Sequence, residues 1–467
     1  MSRLTATDAM FAYADSPTTP MNMGSVQFLR LPTEDVDAWF ETLRSFLVER
    51  VSQVPRLSQR LVVDALGLPS WAPVDDIDFD YHIRRTRVRG GSERELARKL
   101  GRLQHIPFDF ERPLFMFYLI EGLEDGRVVL LHKYHHALAD GKTAVRLVDL
   151  FSDEGAPWPT GEEEPFDPPG WLRRNVGGVV EDGKRLLQTA GALAGASRAL
   201  VKTDSRDMLL KLARRPVTHL NGPLSEERQF VSRCWPVEPL HRVRKALGLT
   251  FNDIGLVLFG GALRRYLDEL DALPDRSLIC NVPVAVAGSG SGGNSVLSMW
   301  VPLGTDIADP QERAAFVQRE AIASKAFLQS VVTASAVGSG MRMPSLMVRA
   351  MALPLSSGTL AKLNPPPGNV ALSNVPTPAT PIHVAGALVE SNHGMPMLLQ
   401  GQAVGGTFTS YAGQVVTGLI CCARAVPEPE RILDYMLEEQ KMLEQRLFAT
   451  KPRRRSARRV GKGSSPA

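Results

Sequence analysis

Apolar positions along the chain fall into two alternating rhythms. Ser25–Leu31, SVQFLRL, reads as a strand, and VDAWFETLRSFLVERV after it keeps its apolar residues on one face of a helix. RVVLLHKYHHAL is a second, strongly apolar strand, and DGKTAVRLVDLFSD reads as the helix that follows it, with Asp140 in its first turn. Gly155–Trp171, GAPWPTGEEEPFDPPGW, breaks the pattern and reads as an exposed linker. Apolar residues from Val179 to Leu200 then recur at roughly helical spacing, as expected of a segment crossing between two halves. In the second half FNDIGLVLFGGALRRYLDEL predicts a long helix with Asn252 or Asp253 at its N-terminal cap. RSLICNVPVAV, PIHVAGALVESN and GQVVTGLICCARAV predict strands, and Gly288–Asn294, GSGSGGN, a flexible loop. The fold class that follows is α/β (α+β), in two halves of similar size.

Composition narrows the function classes. The 467 residues are 44% hydrophobic and 22% charged, as in an ordinary globular protein of more than one domain. The formal charge of +4 comes from the tail Lys451–Lys462, KPRRRSARRVGK, with seven basic residues; the remainder is slightly acidic. A uniformly basic nucleic-acid binder is therefore not expected. The four cysteines, Cys234, Cys280, Cys421 and Cys422, have no zinc spacing and suggest reduced thiols in the cytoplasm. No signal-like apolar segment opens the chain and no uncharged apolar run is long enough to span a bilayer, so neither is expected.

The candidate chemistry sits at LLHKYHHALADGKTA, Leu130–Ala144. If the strand persists through His136, alternation places His132, Tyr134 and His136 on one face and His135 on the other. Adjacent histidines on opposite faces do not chelate one metal, so no metal is expected. DGKT lacks the preceding glycine of a phosphate loop, since that position is His136. No G-x-S-x-G nucleophile elbow occurs. A neutral imidazole accepts a proton near neutral pH, which makes a general base the candidate role. Asp140 either fixes the imidazole tautomer or holds the loop through an ion pair. Gly141 fits a tight turn at a helix start.

HHALADG is an instance of HHxxxDG, the signature of the CoA-dependent acyltransferase superfamily. Further segments follow the order of the bacterial wax ester synthase/diacylglycerol acyltransferase family: SPTTPMNMGSVQF, HIPFDFERPLF, LNGPLS, FNDIGLVLFGGALRRYL, VPVAV, GGN, LSNVPTP, AGALV and TSYAGQVVTGL. The chain resembles that family over residues 5 to 445. The resemblance implies two chloramphenicol acetyltransferase-like domains, 1–165 and 217–450, joined by a helical linker, 166–216, with a basic disordered tail at 451–467. It also implies a substrate tunnel between the domains.

The implied reaction moves a long-chain acyl group from acyl-CoA to diacylglycerol or a long-chain alcohol. His136 would be the general base. Acyl-CoA is a co-substrate, and no cofactor is implied. His135 is read as strand-end packing or polar support, and Asp140 as mainly structural. Asn252 and Asp253 match a paired element of the family and either face the site or cap a helix. Asn374 and Ser410 either line the tunnel or are ordinary strand and loop positions.

Three departures stand out. Ala287 occupies the place where an arginine would pair with Asp140, Phe115 replaces a usual tryptophan, and Ala412 a common aspartate. A carrier-protein-dependent condensation enzyme and a weakly catalytic lipid-binding paralogue are the alternatives. With no span expected, the chain would meet a membrane or lipid droplet peripherally. The basic tail is read as an anchor or a solubilising end. Ser345–Leu363 is read as a membrane-inserting, tunnel-lining or core segment.

Overall fold

The computed structural model describes residues 2–63, 69–139, 141–159, 203–285, 296–334, 345–363 and 368–448. Asp140, Ala287, the Gly288–Asn294 loop, the Val179–Leu200 crossover segment and the basic tail lie outside these residues. In chain order the strands of the first half are β1 (Ser2–Arg3), β2 (Asn22–Arg30), β3 (Gln59–Val63), β4 (Pro69–Pro73), β5 (Ile83–Arg87), β6 (Phe115–Glu121) and β7 (Val128–His135). The second half adds β8 (Arg228–Pro236), β9 (Ile279–Ala285), β10 (Val296–Pro302) and β11 (Val370–Ser373), then β12 (His383–Val384), β13 (Ala387–Met395), β14 (Val404–Tyr411) and β15 (Gln414–Cys422).

Two six-stranded sheets result. The first has the order β12-β13-β2-β7-β6-β5 and the second β10-β9-β11-β14-β15-β8; a small sheet, β1-β4-β3, stands apart. The helix Val36–Ser52 shows how a local pattern becomes core. Asp35 accepts a hydrogen bond from the Ala38 N–H at its start, and Trp39, Leu43, Leu47 and Val51 are buried at four-residue spacing. Burial of side chains of this kind contributes roughly 1.5–3 kcal/mol each. In the second half the helix Phe251–Asp268 has every residue from Ile254 to Leu263 buried. It is therefore a core helix, flanked by Pro310–Ala334 and Glu430–Phe448.

PIHVAGALVESN is not one strand. Ala385 and Gly386 both take positive φ, 48° and 76°, and fold it into the β12–β13 hairpin. β13 then pairs antiparallel with β2, so the second half completes the first sheet. The two sheets meet at β13. The Tyr411 hydroxyl donates to Val389 O (2.8 Å), and the Thr407 hydroxyl donates to Gly394 O (2.9 Å). Gly418 is required there, because a Cβ would lie 2.9 Å from Gly394 O and 2.7 Å from the Phe230 ring.

The β14–β15 turn carries the Ala412 departure. Ala412 has φ +47° and Gly413 φ +78°, a left-handed pair that suits Asn-Gly or Asp-Gly. A Cβ in this conformation is strained unless a short polar side chain offsets it. Ala412→Asn is expected to stabilise the protein by on the order of 1 kcal/mol, read as a raised urea midpoint with unchanged slope.

Candidate active site

β7 places the histidines. All eight of its residues are buried, so VVLL at its start is apolar on both faces, and His132, Lys133 and His135 after it are enclosed as well. His132 and Tyr134 share one face, Lys133 and His135 the other. The strand does not persist through His136. It ends at His135, and a turn closes with the Leu138 N–H donating to His135 O (2.9 Å). Strand alternation therefore does not set the direction of His136.

Each histidine meets a different environment. His132 is sealed in the core, with Nε2 3.0 Å from Gln27 Oε1, and burial pushes its pKa down to about 3. His135 is also fully buried. Its Nδ1 accepts from the Ala137 N–H (3.1 Å), so in the neutral ring the proton sits on Nε2, 3.7 Å from Asp15 Oδ1. The edges of Phe108 and Phe110 enclose it. His136 is half-buried. Its N–H donates to Met21 O (2.7 Å), and its ring stacks on Phe11 with centroids 3.9 Å apart. Phe11 belongs to the helix Ala6–Ala14.

Behind the turn lies a polar cluster. Lys133 is buried, its Nζ donates to Ile106 O and stands 4.6 Å from the centre of the Phe108 ring. Burial lowers its pKa to about 7, and the charge of Asp15 opposes that shift. Asn22, paired with His135 across the strands, donates to Gln104 O (2.6 Å) and Ile106 O (2.9 Å).

The other expected residues are placed as follows. Gly141 opens the helix Gly141–Leu150 beyond the histidine turn, and Asp140 falls outside the described residues. The cap of the helix Phe251–Asp268 is Thr250, not Asn252 or Asp253. Asp253 is the third helical residue, and its carboxylate accepts from the Thr250 N–H (3.0 Å) in a reciprocal capping box. Asn252 is half-buried in the same turn. Asn374 is exposed just past β11, and Ser410 is the one exposed residue of β14. Phe115, opposite Tyr134, is fully buried and stacked by His82 at 4.3 Å. Phe11, Asp15 and Lys133 were not among the expected residues. Lys133 was within reach of strand alternation, which puts it on the His135 face. Phe11 and Asp15 approach through tertiary contact, and no local pattern marks them.

Among the described residues, no three His, Cys, Asp or Glu side chains are grouped to hold a metal ion. The turn instead offers one accessible imidazole, held by its backbone and by an aromatic face.

Comparison with known proteins places the chain in a family. Residues 4–255 match the wax ester synthase/diacylglycerol acyltransferase catalytic domain, and residues 292–444 match the C-terminal domain of the same family. A relative in Mycobacterium tuberculosis, provisionally described as a diacylglycerol O-acyltransferase, is 31% identical over 450 residues, 94% of this chain and 98% of the relative. The wax ester synthase/diacylglycerol acyltransferase from Marinobacter aquaeolei VT8 superposes with a TM-score of 0.68 at 26% identity, over 96% of this chain and 100% of that one. The first condensation domain of the calcium-dependent antibiotic synthetase shares the fold, with a TM-score of 0.56 at 14% identity over 96% of each chain. The chain is thus an acyltransferase and belongs to the wax ester synthase/diacylglycerol acyltransferase family.

Proposed function

We propose that the enzyme transfers a long-chain acyl group from acyl-CoA to diacylglycerol or a long-chain alcohol, with His136 as general base. The observation that carries this reading is the contrast among the histidines at the end of β7. His132 and His135 are sealed, while His136 is half-buried at the turn. The acceptor hydroxyl would give its proton to the His136 imidazole as its oxygen attacks the thioester carbonyl. The tetrahedral intermediate would collapse with loss of CoA thiolate, which takes up the imidazolium proton. A thioester is already activated, so no covalent enzyme intermediate is needed. Base assistance of this type is worth about 10²–10⁴-fold, and alignment of two bound substrates in a tunnel between the halves would supply much of the remainder.

Incubation of the purified enzyme with labelled palmitoyl-CoA and diacylglycerol, hexadecanol or a carrier protein tests the substrate class. Labelled triacylglycerol or wax ester is the expected product. Transfer only from a carrier-bound thioester, or binding without turnover, would overturn the reading.

The acceptor lives in lipid, and among the described residues no single helix is long and apolar enough to cross a membrane. The enzyme would therefore dock peripherally. Ser345–Leu363 contains no acidic residue. Val348 and Ala352 of this segment are buried, while Met351, Leu353 and Leu360 are exposed beside Arg349. Its first helix, Ser345–Ser356, packs on Ala6–Ala14, which bears Phe11. The tail would add about 1 kcal/mol per basic residue at an anionic surface. Truncation after Thr450 is expected to weaken binding to anionic liposomes at low salt and to spare turnover on detergent-dispersed substrate. Liposome binding insensitive to truncation and to salt would exclude the tail as an anchor.

A further inference from the structure

We propose that Asp15 is a positioning residue for acyl transfer: one carboxylate holds, through Met21, the backbone of the turn that carries His136, and faces the Nε2 edge of His135. The proposal rests on His136 being the base.

Asp15 terminates the helix Ala6–Ala14. Its own N–H donates to Phe11 O (3.1 Å), and its extended backbone, φ −62° and ψ 131°, turns the chain away. The same residue therefore also fixes the end of the helix whose Phe11 stacks on the imidazole. Its side chain turns inward and is 12% exposed. Oδ1 accepts from the Met21 N–H at 2.7 Å, and the Met21 carbonyl accepts from the His136 N–H at 2.7 Å. Met21 is thus held from both sides, by the carboxylate and by the catalytic turn.

The loop between Asp15 and Met21 has other anchors. Ser16 and Thr19 close on each other, Arg228 Nη2 donates to Thr18 O (2.7 Å), and Gln400 Nε2 donates to the Thr18 hydroxyl (2.9 Å). Those bonds keep the loop in place without Asp15. Asn22, paired with His135, fixes the far side of Met21, and Asp15 supplies the side-chain bond on the near side, to the Met21 N–H. A general base must lie within about 2.6–3.2 Å of the proton it removes, and a displacement of about 1 Å costs on the order of 100-fold in rate. The Asp15 position is thereby coupled to chemistry more strongly than to folding.

The test is steady-state kinetics with palmitoyl-CoA and hexadecanol, alongside thermal unfolding, for wild type, Asp15→Ala, Asp15→Asn and His136→Ala. Asp15→Ala is expected to lose about 10- to 100-fold in kcat, with both KM values within about twofold of wild type. Asp15→Asn still offers an oxygen to the Met21 N–H and is expected to recover kcat to within about threefold. Asp15→Ser, too short to reach Met21, replaces the alanine variant if that fails to fold and is expected to show the same loss. Equal losses in the alanine and asparagine variants would overturn the proposal, as would a loss confined to KM or full activity in the alanine variant. Wild-type turnover in His136→Ala would instead remove the general-base reading itself, a separate outcome.

Discussion

Replacement of His136 by alanine is expected to lower acyl transfer by about 10²–10⁴-fold with the fold retained. The ring is half-buried and stacks on Phe11, so its loss vacates little core volume. The turn itself is held by backbone bonds that alanine preserves, from His136 N–H to Met21 O and from Leu138 N–H to His135 O. The neighbouring replacement should behave differently. His135 is fully buried, and its Nδ1 satisfies the Ala137 N–H. Its removal leaves that donor unpaired and opens a hole between Phe108 and Phe110, a cost expected mainly in stability. Activity and unfolding midpoints of the two variants separate base from support. Equal, complete catalytic losses with unchanged midpoints would contradict the assignment.

The largest stability effect is expected at Arg313 and Glu439. Their side chains are 2% and 4% exposed, and the guanidinium donates to the carboxylate between the helices Pro310–Ala334 and Glu430–Phe448. Arg313 also donates to Ile307 O. Gly261 lies directly beneath Glu439, where a Cβ would come within 2.5 Å of the carboxyl carbon. Glu439→Ala is expected to destabilise the protein by about 3–5 kcal/mol, because the arginine is left buried without its counter-charge. The double replacement Arg313→Met with Glu439→Leu should recover most of that loss, since desolvation of two ions offsets much of their attraction. Urea unfolding of the single and double variants measures both. A single variant within about 1 kcal/mol of wild type would mean that the pair is hydrated.

The elements most legible in the sequence are those whose signal is local. The helix Val36–Ser52 announces itself by Asp35 and a four-residue apolar spacing, and β7 by the apolar run VVLL that opens it. The histidine turn is marked by HHALADG, although the bond that holds the His136 backbone comes from Met21, a partner far away in sequence. The capping box of Thr250 and Asp253 is a local motif, TFND, that competes directly with a substrate-binding reading of Asp253. What escapes the sequence is destination. Nothing in ALVESNHGM states that β13 leaves the strands around it to pair with β2. Nor does TATDAMFAYAD state that its phenylalanine meets His136 and its last aspartate Met21. Such contacts depend on the closure of long loops, which residue patterns do not encode locally.

The central claim is direct transfer from thioester to hydroxyl, assisted by His136, without a covalent enzyme intermediate. A rapid-quench experiment with enzyme in excess over labelled palmitoyl-CoA, run with and without hexadecanol, tests it most directly. CoA release that requires the alcohol, and no label remaining on denatured protein, is the predicted result. A burst of CoA without acceptor, together with label that survives denaturation, would contradict it.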